Sequence, residues 1–233
     1  MDKHMKREIL IAVAVVVVLA IGITVWYKFY RDVPQPQWIT ADQNNDFLYG
    51  AVGAEDTSGL PYWIWLALPR LFPEYMPGPG GYASLGLSWE ESREMPVGFA
   101  KKTVGYVRVT GNCALCHATS HSASPDDLPT VVIAAPGHTT NIQALLSFFT
   151  QCAQDTRFNA DEILAEVDTA TKLSFLDRLL YRYVLIPRTK RALLNPGPVI
   201  FNPALQLHTR DPRSAFSQQR MKHLEAWLNA QRH

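Results

Sequence analysis

Two cysteines and a histidine form the segment of this sequence with the most specific chemistry. They lie in the run Cys113-Ala114-Leu115-Cys116-His117, which has the C-x-x-C-H spacing of covalent c-type haem attachment. One helical turn presents both thiols to the two vinyl groups of one porphyrin, and the adjacent imidazole reaches the iron from the proximal face. The run therefore predicts one covalent haem c, with Cys113 and Cys116 as thioether anchors and His117 as an iron ligand.

Two other kinds of site use the same residue types. A redox-active Cys-x-x-Cys pair needs the two thiols but has no use for His117. A zinc site could take its four ligands from Cys113, Cys116, His117 and His121, although structural zinc sites usually draw ligands from two separated pairs. Haem attachment is favoured over both. It leaves Cys152 as the third cysteine, which we expect to be a buried apolar filler of a helix.

The second axial ligand of the iron decides what such a haem does. An electron-transfer haem usually has both axial positions filled, whereas chemistry on dioxygen or peroxide needs one open face. Small cytochromes c commonly use a methionine downstream of the attachment run, but the only methionine after His117 is Met221. His138, in a loop 21 residues after His117, is our candidate for the second iron ligand. Further candidates are Met76, Met95, His208 and His223.

Aromatic and basic side chains could line the rest of a haem site. Trp63 and Trp65 lie in the apolar run from Pro61 to Pro73 and are candidates for a haem wall, although aromatic residues in such a helix are more often ordinary core. Three basic residues could hold the haem propionates, with solvated surface positions as the usual alternative: Lys101, Lys102 and Arg108.

The N-terminal segment predicts a membrane anchor. From Ile9 to Tyr27 the chain has nineteen residues without a charge, and as a helix at ~1.5 Å per residue they span ~28 Å, about the thickness of a bilayer core. Trp26 and Tyr27 close the run as interfacial aromatic residues. The alternative is a cleaved secretory signal, whose apolar part is usually only about 7 to 15 residues long.

Localisation follows from the two motifs together. Because haem is attached to c-type cytochromes outside the bacterial cytoplasm, we expect a single-pass protein of the bacterial inner membrane with its C-terminal domain in the periplasm. One partner is then the lipid bilayer, through the N-terminal helix. A formal net charge of +1 argues against a nucleic-acid partner, since it gives no strongly basic surface.

The rest of the sequence predicts a mainly α-helical, c-type cytochrome-like haem domain with few short strands. We divide the chain into a transmembrane anchor at 1–28, a polar linker with two prolines at 29–45, and a periplasmic haem c domain at 46–233. A strand is expected over 103–109. Helices are expected over 61–73, 142–152, from the capping residue Asn159 onward, over 174–186 and over 212–229.

With these motifs in view, the chain resembles the N-terminal haem part of bacterial multidomain cytochromes c related to rubber oxygenases and dihaem peroxidases. The resemblance rests on Tyr49 to Glu55, Gly59 to Trp65 and Asn112 to His117, with weaker similarity at 182–187 and 201–203, and it covers residues 46–205. It implies a periplasmic, largely helical haem domain. The larger relatives continue into a second haem domain, for which the 28 residues after Leu205 are too few.

The sequence thus favours a membrane-anchored periplasmic monohaem c-type cytochrome that transfers electrons between protein partners, one of them a periplasmic or membrane redox protein. The first alternative is a haem-dependent oxygenase or peroxidase with an open distal face. The second is a zinc-stabilised tethering module without redox activity.

Overall fold

The computed structural model describes residues 3–90, 93–121, 130–133, 138–196 and 200. The helix expected over 212–229 lies outside these residues, as do three of the candidate iron ligands: His208, Met221 and His223. The described part of the chain is mainly helical, as expected.

The helices are α1 (Lys3–Phe29), α2 (Gln37–Thr40), α3 (Gln43–Tyr49), α4 (Tyr62–Leu71), α5 (Ala114–His117), α6 (Ile142–Gln154), α7 (Ala160–Ala170), α8 (Phe175–Leu180) and α9 (Ile186–Leu193). A π-helical turn, Tyr181–Leu185, joins α8 to α9. The strands are β1 (Asp32–Val33), β2 (Leu60–Pro61), β3 (Phe99–Val104), β4 (Tyr106–Gly111), β5 (Ala118–His121) and β6 (Thr130–Ile133).

Helix α1 is long and apolar enough to cross a membrane. Within Arg7–Phe29, an 18-residue stretch has a mean hydropathy of 3.0, and none of that stretch is buried inside the protein. A valine-rich segment is a poor helix in water, but in lipid the backbone has no hydrogen-bond partner except itself. The helix fits both an uncleaved anchor and a signal sequence.

The C-terminal end of α1 packs directly on the folded domain. The end of α1 lies against the turn between β3 and β4, where the N–H of Gly105 donates to the carbonyl of Arg31 at 2.8 Å. Gly105 has a φ of 72°, and a β-carbon there would lie 2.4 Å from the carbonyl oxygen of Lys28. The Lys28 ammonium also pairs with Asp177 on α8 at 2.5 Å. The contact at Gly105 in the β3–β4 turn and the ion pair between Lys28 and Asp177 therefore hold the end of α1 against the domain.

The segment 29–45, expected to be a polar linker, needs correction because it belongs to the fold. It contributes β1, which pairs antiparallel with β3, and α2, whose Ile39 is buried. Gln35 explains why a polar segment packs here: its side-chain amide donates to the carbonyls of Tyr49 and Lys101, and its oxygen accepts from the N–H of Ala51.

The strands form two antiparallel sheets. The larger has the order β1-β3-β4-β2, and the smaller pairs β5 with β6. The single strand expected over 103–109 is wrong: Gly105 turns the chain back, so that residues 99–111 form the β3–β4 hairpin. The hairpin leads straight into the attachment run.

The helical layer follows the predicted pattern more closely. Side-chain caps open three of these helices: Asn141 caps α6, Asn159 caps α7 and Ser174 caps α8. Helix α4 packs on α7, and α6 packs on α9. Cys152 is fully buried on α6, which confirms its expected role as core filler, and burial raises the pKa of its thiol strongly.

Candidate haem attachment site

Asn112 fixes the position of the attachment run at the end of β4. Its backbone N–H donates to the carbonyl of Gly98 at 2.8 Å. Its side-chain amide donates to the carbonyls of Leu48 and Gly50, and its side-chain oxygen accepts from the N–H of Ala114 at 3.0 Å. Asn112 is buried, so each of these bonds satisfies a group that water cannot reach. The residue thereby joins the run to the loop after α3.

Because Gly98 has no side chain, its backbone can lie directly against the attachment turn, residues 113–117. Its φ is 89°, and a β-carbon at this position would lie 2.4 Å from the Cα of Leu115. Leu115 is 1% exposed and belongs to the hydrophobic core. Only glycine combines the left-handed backbone conformation with this close contact.

Helix α5 is a single turn that separates apolar from reactive residues. Ala114 and Leu115 are buried, Cys113 and Cys116 are half-buried, and His117 is exposed. The N–H of His117 donates to the carbonyl of Cys113 at 3.1 Å and closes the turn. Strand β5 begins at the next residue, so the turn cannot extend. Burying the two middle residues directs the two thiols and the imidazole outward together.

Covalent attachment to a porphyrin requires two thiols that its vinyl groups can reach, and Cys113 and Cys116 are each half-buried. Burial, with the neighbouring Cys113 as a second cause, raises the pKa of the Cys116 thiol. A raised pKa keeps a thiol protonated at neutral pH and makes it a weak nucleophile. The Cys116 thiol is therefore not an activated nucleophile.

The four residues of the zinc alternative are not brought together. His121 is exposed at the end of β5, where it is paired in register with Thr130. Among the residues that the structure describes, no group of three or more His, Cys, Asp or Glu side chains is arranged to hold a metal ion. The structure therefore gives no support to the zinc alternative built from Cys113, Cys116, His117 and His121.

His138, the candidate second iron ligand, lies exposed in the loop before α6. Its Nδ1 lies 2.8 Å from the carbonyl oxygen of Thr140. Because a carbonyl can only accept, Nδ1 donates in this bond, and the lone pair of the neutral ring is then on Nε2. A backbone carbonyl on one ring nitrogen is the usual orienting contact of a metal-ligating histidine.

Two methionines named as further candidates are buried. Met76 and Met95 are 8% and 6% exposed, and both belong to the hydrophobic core. Their positions in the core account for them without a metal.

The two tryptophans named as a haem wall lie in different surroundings. Trp65 is 1% exposed, and its ring stacks on Tyr82 with 4.4 Å between centroids. Tyr82 also donates a hydrogen bond to the carbonyl of Trp65 at 2.8 Å. Trp65 is therefore ordinary core. Trp63 is half-buried and meets Tyr62 edge to face at 4.8 Å, so part of its ring stays accessible.

The three basic residues considered for the haem propionates are engaged by the protein. Lys101 pairs with Glu94 at 2.5 Å, and Lys102 pairs with Asp32 at 3.0 Å. Arg108 is buried, donates to the carbonyl of Val104 and lies over the ring of Tyr106. These contacts explain the residues as parts of the sheet.

Two cavities lie away from the attachment run. One, of about 320 Å³, is lined by residues of β1, α2 and β3 and by 93–95. The other, of about 850 Å³, lies between the end of α1, β4 and α9. Neither is lined by Cys113, Cys116 or His117.

The three residues of the attachment run themselves fit a covalent haem. Two partly accessible thiols and an exposed imidazole share one helical turn.

Comparison with known proteins adds no further evidence. No protein-family model matches the chain, and searches of curated proteins and of solved structures found no match. The resemblance to multidomain cytochromes c stays an expectation drawn from the sequence.

The sequence does not reveal that Asn112 and Gly98 hold the attachment turn in place. In the sequence, Asn112 stands out only as the first residue of the segment 112–117, and nothing singles out Gly98. A polar residue between an apolar strand and the C-x-x-C-H run is a signal that could have pointed to Asn112. The requirement for glycine at 98 depends on a contact with Leu115, seventeen positions away, and no local pattern reveals it.

Proposed function

We propose that this chain is a membrane-anchored c-type cytochrome with one haem, which passes electrons between protein partners in the periplasm. The observation that supports it most is the geometry of α5, which buries Ala114 and Leu115 and turns Cys113, Cys116 and His117 outward. This is the arrangement that covalent attachment to a porphyrin and proximal ligation of its iron both need.

Each residue of the turn has a definite role in this proposal. The Cys113 and Cys116 thiols would each add across one vinyl group of the porphyrin and so hold it by thioether bonds, and the His117 imidazole would hold the iron. Asn112 and Gly98 keep the turn in place by hydrogen bonding and close packing. When bound, the haem supplies a one-electron redox centre whose potential depends on its axial ligands and burial.

The anchor supports the location. Helix α1 is the membrane-spanning segment in this proposal, and its end is held by β1, Gly105 and Asp177, so the haem domain stays next to the membrane. Because c-type haem is attached outside the bacterial cytoplasm, the domain lies on the periplasmic side. Its redox partner is then a periplasmic or membrane protein.

Covalent attachment is tested by haem staining of the full chain, expressed with a haem-attachment system and separated under denaturing conditions. The Cys113→Ala and Cys116→Ala variants should each lose most of the stain. Cys152→Ala is the matched control and should keep it, since Cys152 is buried in α6. Equal staining of all three variants would contradict the proposal.

The second iron ligand is tested with carbon monoxide. A reduced protein with both axial positions filled should not bind carbon monoxide, whereas the His138→Ala variant should bind it if His138 is the ligand. His121→Ala is the control and should behave like the unmodified protein. Ready binding by the unmodified protein would favour oxygen or peroxide chemistry over electron transfer.

A further inference from the structure

We propose that α8 and the π turn after it lie on the membrane surface beside the end of α1, with their apolar face in lipid. This inference rests on the proposed anchoring by α1 and adds a second contact between the protein and the bilayer. The face consists of Phe175, Leu176, Leu179 and Tyr183, which we call the interfacial face.

The interfacial face is strongly exposed. Phe175 is 75% exposed, Tyr183 70%, Leu176 55% and Leu179 37%. Counted from Phe175, these residues stand at i, i+1, i+4 and i+8, which places them on one side of a helix. Soluble proteins rarely leave a contiguous group of large apolar side chains in water without a use for it.

The polar side chains of the same segment are held by the protein. Arg178 pairs with Asp168 at 2.7 Å, and Arg182 pairs with Asp161 at 2.7 Å, both on α7. Buried Tyr181 and Leu185 face the core. The segment is thus fixed on one side by charge and packing, and its apolar side chains are directed away from the domain.

The position of α8 identifies lipid as the partner. Asp177, between Leu176 and Leu179, pairs with Lys28, one residue before the last residue of α1. Three exposed aromatic residues lie at this end of α1: Trp26, Tyr27 and Tyr30. Aromatic residues at the end of an apolar helix are typical of the membrane–water interface. A helix there can bury its apolar face ~5–10 Å into the boundary of headgroups and acyl chains.

The composition of the face also suits an interface. Phenylalanine and leucine favour the acyl region, while tyrosine has an apolar ring and a hydroxyl that stays hydrated. A second copy of the chain, or the segment 201–233, could instead cover the face, and the experiment separates these occupants from lipid.

The test is lipid-phase photolabelling of the full chain reconstituted in phospholipid vesicles. A carbene reagent dissolved in the acyl region labels the residues that it contacts, and mass spectrometry locates the label. We expect label in α1 and in the peptide containing 175–184, but not in α6, which carries no comparable exposed apolar face. Label in α1 without label in 175–184 would overturn this inference and leave the anchor intact, since protein would then cover the face. No label in α1 would overturn both.

A charged variant makes the test specific. Phe175→Glu combined with Tyr183→Glu should abolish label in 175–184 and preserve it in α1, because charged side chains withdraw the face from the acyl region. Val132→Glu, at a 43% exposed position on β6, is the control and should change neither. Phe175 and Tyr183 are both exposed, so the circular dichroism spectrum of the double variant should match that of the unmodified protein. Undiminished label in 175–184 of the double variant would contradict lipid contact through this face.

Discussion

Gly98 and Leu115 pack backbone against backbone, and a β-carbon at Gly98 would also lie 2.5 Å from the amide nitrogen of Leu115. Leu115 is one of the two buried core residues, with Ala114, that lie between the two cysteines. The contact therefore sets how deeply the attachment turn sits in the domain, and it links a loop glycine to the proposed chemistry.

Gly98→Ala should destabilise the folded domain by about 2 kcal/mol or more, because the variant adds both backbone strain and a clash. Gly53→Ala is the matched control: Gly53 has a similar φ of 83°, but nothing lies within 4 Å of its missing β-carbon. Thermal or urea unfolding in detergent should show a clearly smaller loss for Gly53→Ala. Equal losses would mean that the contact with Leu115 adds nothing to backbone strain.

Asn112→Ala should cost about 1–3 kcal/mol, because it leaves buried carbonyls and one N–H without partners. The same variant should reduce the haem stain per molecule, since the turn loses the bond from Asn112 to the N–H of Ala114. The measurement pairs unfolding with stain intensity. The exposed Asn195 offers a control, and Asn195→Ala should leave both unchanged. Full staining and full stability of Asn112→Ala would be incompatible with its positioning role.

Trp65→Ala should lower the free energy of unfolding by about 3–5 kcal/mol, the usual effect of deleting a large buried aromatic ring. If the residue is core alone, the milder Trp65→Phe variant should keep the haem absorption maximum of the unmodified protein. Absorption spectra of the folded Phe variant check this directly. A shifted maximum would restore Trp65 to the haem wall.

Stability should fall in acid through Asp155. Hydrogen bonds from the Arg157 side chain, with the nearest contact at 2.7 Å, lower the pKa of the Asp155 carboxyl. A lowered folded-state pKa stabilises the protein above the unfolded pKa of about 4, and this contribution is lost as the pH falls through the folded value. Asp155→Asn should therefore flatten the decline of the urea midpoint below about pH 4.

Arg157→Gln is the companion variant for that acid-unfolding series. It removes the largest cause of the lowered pKa of Asp155 and should flatten the same decline in part, while the double variant should add little to Asp155→Asn alone. An acid decline as steep in both single variants as in the unmodified protein would assign the pH dependence to other groups.

Local chemistry made the helical part of the fold predictable. Asn159 and Ser174 cap their helices through side chains, and the buried residues of α6, Cys152 among them, follow helical spacing. The elements around the site depend on distant contacts instead. The β3–β4 hairpin needs a glycine at 105, because a β-carbon there would clash with the end of α1. The segment 29–45 folds because the Gln35 side chain donates hydrogen bonds to backbone carbonyls of two other segments. The attachment helix is only one turn because β5, paired with β6, starts directly after His117.

The most direct measurement is the pyridine haemochrome spectrum of the full chain after denaturation and extraction with acidified acetone, together with its intact mass. We expect the pigment to stay with the polypeptide, with the spectrum of a haem bound through two thioethers and a mass equal to the chain plus one haem. A colourless polypeptide at the mass of the bare chain, obtained from cells with a working haem-attachment system, would contradict it.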